Sequence, residues 1–205
     1  MARTQQTGRP SEARTRLLNT ALKIFYAEGI HSVGIDRIVE EAQVTRATLY
    51  RHFLGKEELV VAYLNEADAA MRAQAEQAAA RGHSPADTVR ELSRAIAGGI
   101  RSPEFRGCAF LNAAAEYPDP EHPVHRAVLA HREWFQTTVT ELFTQIRAAS
   151  AEPAARHFVM LRDGAMASGC LSDAEVVCET FLRGVEGLLQ AQIAPETAET
   201  GTRAG

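Results

Sequence analysis

The interpretation of this chain starts from the stretch Thr45-Arg46-Ala47-Thr48-Leu49-Tyr50-Arg51-His52-Phe53. It predicts a short helix that begins after Thr45, because a threonine hydroxyl accepts hydrogen bonds from the free N–H groups of a first turn. Leu49 and Phe53 are four residues apart and form one apolar stripe. The other positions carry small or hydrogen-bonding side chains, unlike an ordinary solvated helix. Such a helix suits insertion into the major groove of DNA.

A second short helix is predicted directly before this stretch, over residues 34–42. Its apolar residues share one face: Ile35, Ile38, Val39 and Ala42. Only Gln43 and Val44 separate the two predicted helices. A link this short is typical of a helix-turn-helix.

Residues 29–59 resemble the N-terminal domain of the TetR/AcrR family of bacterial transcriptional repressors. Many parts of the family pattern stand in register, including Thr-Leu-Tyr-Arg-His-Phe at 48–53 and Lys-Glu-Glu-Leu at 56–59. The specific resemblance covers roughly residues 11–64. The family usually has glycine in the turn where this chain has Gln43. If the turn requires a positive φ, Gln43 costs roughly 1 kcal/mol relative to glycine.

Helical periodicity continues along the chain, and no segment alternates as a strand would. We therefore predict an all-α fold of about nine helices, the number that the resemblance implies. A flexible basic arm is expected at 1–10, a three-helix helix-turn-helix DNA-binding domain at 11–58 and a disordered tail at 195–205. Residues 59–194 are expected to form the helical regulatory domain for ligand binding and dimerisation. Within it, Gly98-Gly99 is predicted to end one helix, and another is predicted to begin at Pro153.

The distribution of charge favours DNA binding at one end of the chain. The 205 residues have a net charge of −4, but residues 1–56 hold nine Lys and Arg against five Asp and Glu. The remainder holds thirteen against twenty-one. A basic end before an acidic remainder fits contact with DNA through that end alone. Ordinary scatter of charges is the alternative interpretation.

Composition and motifs exclude several other classes of protein. No apolar run approaches the ~20 residues of a membrane span. Three cysteines without a Cys-x-x-Cys spacing favour reduced thiols in a cytoplasmic protein. We find no phosphate-binding loop, Gly-x-Ser-x-Gly or His-Glu-x-x-His motif, so we expect neither an enzyme nor a cofactor.

Three histidines raise the question of a metal site. His122, His125 and His131 lie near the acidic residues Glu116, Asp119 and Glu121. Their spacing matches no metal-ligand template, and Pro123 lies between the first two. We therefore interpret them as surface and helix-start histidines and predict no metal.

The predicted recognition helix divides into base and phosphate contacts. Arg46, Thr48 and Arg51 are expected to contact base edges, since arginine suits guanine and the threonine methyl suits thymine. Ala47 would keep the backbone close to the groove. The resemblance implies phosphate contacts for three further residues: Tyr50, His52 and Lys56. Thr45 is expected to contact a phosphate too, through the hydrogen-bonding capacity that its capping role leaves free. The alternative for His52 is a partly buried neighbour of Phe53.

Two further expectations concern the regulatory domain. An apolar effector cavity is predicted, with these lining residues: Phe105, Cys108, Phe110, Asn112, Trp134, Phe135, Met160 and Met166. The alternative is that they simply pack the core. A homodimer is predicted through residues 153–168 and 173–193, which carry more apolar and small residues than one core face needs.

The expected function is therefore a repressor that binds a (pseudo)palindromic DNA operator as a dimer and is released by a small effector. The rival is a helical interaction protein without DNA binding, which leaves the donor-rich face of residues 46–51 unexplained. Mobility-shift electrophoresis with random duplex DNA separates these two readings of the sequence.

Overall fold

The computed structural model describes residues 11–194, and all regular secondary structure in that range is helical. The α-helices are α1 Glu12–Glu28, α2 Ile35–Glu41, α3 Arg46–His52, α4 Lys56–Ala79, α5 Pro85–Ile100, α6 Ala109–Glu116, α7 Pro123–Arg147, α8 Ala151–Ser168 and α9 Ala174–Ile193. A short 3-10 helix, Ala148–Ser150, joins α7 to α8. The predicted all-α fold is confirmed. The predicted arm at 1–10 and tail at 195–205 lie outside the described residues.

Side-chain caps mark the start of several helices. Ser11 Oγ accepts a hydrogen bond from the N–H of Arg14 at 3.2 Å at the start of α1. Ser84 caps α5 in the same way, with Pro85 as the first helical residue. Asp173 Oδ1 accepts from two N–H groups in the first turn of α9. Each cap satisfies donors that the helix itself leaves free.

Two predicted helix boundaries are wrong. Gly98-Gly99 does not end α5, which continues to Ile100. A glycine inside a helix costs only about 1 kcal/mol, and Ile100 is buried, so packing of the last turn offsets that cost. Helix α8 begins at Ala151, two residues before Pro153, because proline is tolerated in a first turn.

The chain forms two compact units, and α4 and α7 each contribute to both. Within the described residues, the first unit comprises residues 11–75 with 106–133, and the second comprises residues 76–105 with 134–194. Helix α6 and the start of α7 therefore belong with the helix-turn-helix by contact. The division of the chain at residue 58 into a DNA-binding domain and a regulatory domain stays a prediction.

The core of the first unit holds α3 against α1 and α2. Leu17, Ile38, Leu49 and Phe53 are almost completely buried there, as is Leu59 at the start of α4. Full burial of a Leu or Phe side chain stabilises the fold by about 1.5–3 kcal/mol. The short helix α3 therefore depends on Leu49 and Phe53, because seven residues are too few for a stable helix in isolation.

The core of the second unit is centred on Phe158 of α8. Its ring centroid lies 6.4 Å from those of Phe135 and Phe143 on α7, and 6.3 Å from that of Phe181 on α9. Tilted aromatic pairs at this spacing are favourable beyond the area that they bury. Within residues 11–194, no helix combines the length and the apolar character that crossing a membrane requires.

Candidate nucleic-acid interface

The turn between α2 and α3 is built around Gln43. Its φ is 53°, the left-handed conformation expected at this position. The turn closes through hydrogen bonds from the N–H of Gln43 to Glu40 O and from the N–H of Val44 to Val39 O, both 3.0 Å. Two residues thus redirect the chain from α2 into α3, and the left-handed residue is a glutamine where glycine would be unstrained.

Helix α3 begins with the predicted threonine cap. Thr45 Oγ1 accepts from the N–H of Thr48 at 3.1 Å, and the two threonine hydroxyls lie 2.9 Å apart. Leu49 and Phe53 face the core of the first unit. The cap and these two apolar residues determine which side of α3 faces outward.

The outward side of α3 carries the residues predicted to contact DNA. Arg46, Ala47, Tyr50 and Arg51 are exposed, and Tyr50 retains 49% of its accessible surface. Thr48 is half-buried beside the cap. Two guanidinium groups, a phenol and a small residue therefore share one exposed surface, which has the donors needed for base edges and phosphates.

Arg46 has a partner that the sequence did not indicate. Its guanidinium forms an ion pair with the carboxylate of Asp36 on α2, and Nε lies 2.5 Å from Oδ1. This hydrogen bond and the charge of Asp36 raise the pKa of Arg46 above its ordinary value. Asp36 is ten residues away, and only the angle between α2 and α3 brings the two side chains together.

His52 and Arg14 connect α3 to α1. His52 is half-buried, and its Nε2 lies 3.0 Å from Oγ of Ser11, the residue that caps α1. The guanidinium carbon of Arg14 lies 5.2 Å from the centroid of the Phe53 ring, within cation–π range. His52 therefore has a structural partner in addition to its predicted phosphate.

Lys56 is the first residue of α4 and is half-buried. Burial lowers its pKa, and the negative charge of Glu116 opposes that change. Two residues later, the carboxylate of Glu58 accepts a hydrogen bond from the N–H of Leu54. The loop before α4 is therefore tied to the helix that it precedes. Lys56 follows the last residue of α3 by four positions and lies in the same unit.

Helix α6 is anchored to the end of α1 and the turn that follows it. Glu116 Oε1 accepts from the N–H of Ile30 at 2.8 Å, and Oε2 accepts from the N–H of His31 at 2.5 Å. Tyr26 donates to the carbonyl of Gly107 and accepts from the N–H of Arg106. These bonds join residues eighty or more positions apart, which no local pattern in the sequence could have indicated.

The three histidines considered for a metal site have other partners. His122 Nε2 lies 3.5 Å from Glu57, and His125 Nδ1 lies 2.6 Å from the carbonyl of Tyr117. The interpretation of His131 as a surface or helix-start histidine is wrong: it is buried within α7, stacked on Phe110, with Nδ1 2.7 Å from Asp68. In the part of the chain that the structure describes, no group of three or more His, Cys, Asp or Glu side chains is placed to hold a metal ion.

The residues predicted to line an effector cavity occupy different places. Phe135 is buried in the core of the second unit, and Phe105, Trp134 and Met166 pack against that core. Met160 lies on α8 but is 70% exposed, so it does not face the interior of its own unit.

The remaining three belong to the first unit. Cys108 and Phe110 are buried, and Asn112 lines a cavity beside α1. The eight residues are therefore divided between the two units, and the predicted effector site stays a prediction.

Several known proteins are similar to this chain in sequence and in fold. The family model described as bacterial regulatory proteins, tetR family, matches residues 17–63. The regulator TcmR of Streptomyces glaucescens is 32% identical over 94 residues, which span 46% of this chain and 41% of that protein. The crystal structure of SCO4454, a TetR-family transcriptional regulator from Streptomyces coelicolor, is 65% identical, with a TM-score of 0.87 over 90% of this chain and 97% of that one. The chain belongs to the TetR family.

A more distant TetR-family structure has the same architecture. The protein sav143 of Streptomyces avermitilis is 26% identical over 89% of this chain and 98% of its own, with a TM-score of 0.80. Members of the TetR family are DNA-binding transcriptional regulators with a helix-turn-helix and are not enzymes. The predicted resemblance and the non-enzymatic function are confirmed.

Proposed function

We propose that this TetR-family protein is a repressor that binds a (pseudo)palindromic operator as a homodimer and is released by a small, largely apolar effector. Its place of action is the bacterial cytoplasm, where the operator DNA lies. The observation that supports the proposal most directly is α3: its inner face is buried through Leu49 and Phe53, and its outer face presents Arg46, Tyr50 and Arg51.

The DNA contacts divide by role in this proposal. Arg46, Thr48 and Arg51 contact base edges, and Ala47 allows close approach of the backbone. The phosphate contacts come from four residues: Thr45, Tyr50, His52 and Lys56.

For Arg46 to reach a base, its ion pair with Asp36 has to open, or the guanidinium has to bond to both groups at once. Recognition of DNA therefore includes an exchange of partners by Arg46.

The test of DNA binding is selection of duplexes from random DNA by the full-length protein, followed by titration of the selected sequence. We expect an enriched site with two inverted half-sites, because one seven-residue helix reads too few base pairs alone. Enrichment of no sequence, or of a single half-site bound by one chain, would contradict the proposal.

The proposed dimer uses residues 153–168 and 173–193, on α8 and α9. Met160 of α8 and Val176 and Ile193 of α9 are 70%, 61% and 56% exposed. Gly187 on α9 has open space where a Cβ would stand, so another helix could approach closely. Pairing α8 and α9 with their copies would form a four-helix bundle that covers these apolar side chains.

Analytical ultracentrifugation at micromolar concentration tests the dimer. The wild-type chain should sediment as a dimer, and Val176→Glu should shift it toward monomer because a charge would be buried in the interface. Leu129→Glu is the matched control, since Leu129 is exposed on α7 outside the proposed interface. A wild-type monomer, or equal effects of the two variants, would contradict this interface.

The proposed effector shifts the protein between two conformations. It binds better to a dimer whose recognition helices no longer match the spacing of the half-sites, and so lowers operator affinity. Moving such an equilibrium fully over requires about 5.5 kcal/mol of preference between the states. Phe105, Trp134, Phe135 and Met166 remain candidate contacts. Met160 is assigned to the dimer surface instead, because it is exposed.

A further inference from the structure

A cavity of about 270 Å³ lies within the first unit, among α1, α4 and α6. Its apolar walls are the rings of Phe25 and Tyr26 from α1 and of Tyr63 from α4. The small side chains of Ala109 and Ala115 on α6 also line it. All of its lining residues belong to the first unit, which also holds the helix-turn-helix.

Tyr63 of α4 is the lining residue with a buried aromatic side chain that also carries a hydroxyl. The residue as a whole is 3% exposed and lines the cavity. Burial raises the pKa of Tyr63, with a further increase from the nearby charge of Glu116, so the hydroxyl stays protonated at neutral pH. A protonated phenol can donate one hydrogen bond and accept another, so it can bond to a polar group of a ligand in the cavity.

A carboxylate stands at the edge of the same cavity. Glu116 is the one lining side chain among the described residues that is charged at neutral pH. Its Oε1 accepts only from the N–H of Ile30, and a carboxylate oxygen can accept a second hydrogen bond. The partly buried Lys56 is near enough for Glu116 to affect its pKa but does not line the cavity.

We propose that this cavity binds a small protonated amine carried on a single ring, bonded to Tyr63 and Glu116, and that its binding weakens DNA binding. The second half rests on the proposed function; the binding site itself does not. Aromatic faces and a carboxylate together favour a cation over a neutral or anionic ligand. A volume just below the ~300–1,000 Å³ of sites for drug-sized molecules favours one ring.

The link from this cavity to DNA runs through Glu116. The same carboxylate holds the N–H groups of Ile30 and His31 in the turn after α1. Helix α2 begins at Ile35, only four residues after His31. An ammonium group that draws Glu116 into the cavity therefore weakens the bonds that position this turn, and with it the placement of α2 and α3.

The experiment uses benzylamine as the probe and benzyl alcohol as its uncharged counterpart. Binding to the full-length protein is followed by NMR titration at constant ionic strength. We expect saturable binding of benzylamine and about five- to tenfold weaker binding of benzyl alcohol, which lacks the charge. Tyr63→Phe, which keeps the ring, should weaken benzylamine binding about tenfold.

A second variant fills the cavity instead of removing a partner. Ala115→Leu adds bulk to the wall formed by α6 at an exposed helical position, where leucine is well tolerated. It should abolish binding. Ala69→Leu is the matched control, because Ala69 is an exposed alanine of α4 that does not line the cavity. Circular dichroism confirms that each variant is folded.

DNA binding is measured on the selected duplex, with ammonium chloride replacing benzylamine at equal concentration as the control for screening. Release of DNA from the wild type and Ala69→Leu, but not from Ala115→Leu, supports the whole inference. Benzylamine binding without an effect on DNA affinity overturns the regulatory half. Absent binding, or equal binding by Ala115→Leu, overturns the site. A protein that binds no duplex contradicts the proposed function, while the NMR titration still decides the site.

Discussion

Arg46 on the recognition helix is held by Asp36 on the preceding helix, with Nε 2.5 Å from Oδ1. Both side chains are largely exposed, at 61% and 71%, so solvent screens the pair and it can open. A DNA phosphate or guanine would compete with Asp36 for the same guanidinium. If Arg46 contacts a base as proposed, it has to leave Asp36 or share its guanidinium with Asp36 when DNA binds.

The first prediction follows from this competition. Asp36→Asn removes the charge that holds Arg46, so affinity for DNA should rise and discrimination between matched and mismatched operators should fall. Glu41→Gln is the control: it removes one negative charge from the same helix, but Glu41 pairs with Arg37. Both variants are titrated on the two duplexes by fluorescence anisotropy. Equal gains from both would attribute the effect to net charge and contradict the role of the ion pair.

The second prediction separates base contacts from phosphate contacts. Arg46→Ala should lower affinity for the matched operator by about 5- to 150-fold and relax specificity at one base pair. Lys56→Ala should weaken binding to all sequences alike and reduce the salt slope by about one unit. Titrations at several salt concentrations on matched and mismatched duplexes measure both effects. The same pattern from both variants would show that the proposed division of roles is mistaken.

Local features of the sequence were sufficient for α3 but not for its surroundings. The cap at Thr45 and the burial of Leu49 and Phe53 depend on residues within one or two helical turns. The local sequence pattern therefore predicts them. The ion pair of Arg46 with Asp36 requires the angle between two helices. Contacts of this kind appear only after the helices have packed.

Long-range contacts and helix faces set the other limit on prediction. The hydrogen bond from the N–H of Ile30 to the carboxylate of Glu116 joins residues 86 positions apart, and nothing in the intervening sequence indicates it. The effector residues were chosen by type, and type cannot decide which side of a helix faces inward. Met160 is exposed, whereas its neighbours Phe158 and Val159 are buried, because successive helical residues point in different directions.

The third prediction concerns the strained turn residue. Gln43 has a φ of 53°, a conformation that costs a non-glycine residue about 1–2 kcal/mol. Gln43→Gly removes that cost. The added flexibility of glycine also stabilises the unfolded state by about 0.4–1 kcal/mol, through its larger conformational entropy. We therefore expect the free energy of unfolding to rise by about 0.5–1 kcal/mol. Gln43→Ala keeps the strain and should give no gain. Urea unfolding measures both, and a gain from alanine equal to that from glycine would exclude strain as the cause.

The fourth prediction tests the anchor between α6 and the turn after α1. Glu116→Ala leaves the N–H groups of Ile30 and His31 without their acceptor, and should lower the free energy of unfolding by about 1.5–3 kcal/mol. Glu121→Ala is the control, because Glu121 is 88% exposed in a loose ion pair with Arg126 and should change stability by less than about 0.5 kcal/mol. Urea unfolding measures the free energy of unfolding of both variants. Similar small decreases for the two variants would contradict the role of Glu116 as an anchor.

The fifth prediction concerns pH and the ion pair of the partly buried Asp68 with the buried His131. Burial on its own would raise the pKa of Asp68, but hydrogen bonds from Arg72 and His131 hold it below the ordinary 3.8. A carboxyl whose pKa is lowered by folding stabilises the protein fully above its unfolded pKa, and this stabilisation is lost as pH falls through its folded pKa. Asp68→Asn should therefore destabilise the protein at pH 7 and make the free energy of unfolding less dependent on pH below about 4. Glu66→Gln, at an exposed position on the same helix, should leave the shape of the wild-type curve between pH 3 and 7 unchanged. If Asp68→Asn loses stability in parallel with the wild type as pH falls, the acid dependence arises elsewhere and Asp68 only fills space.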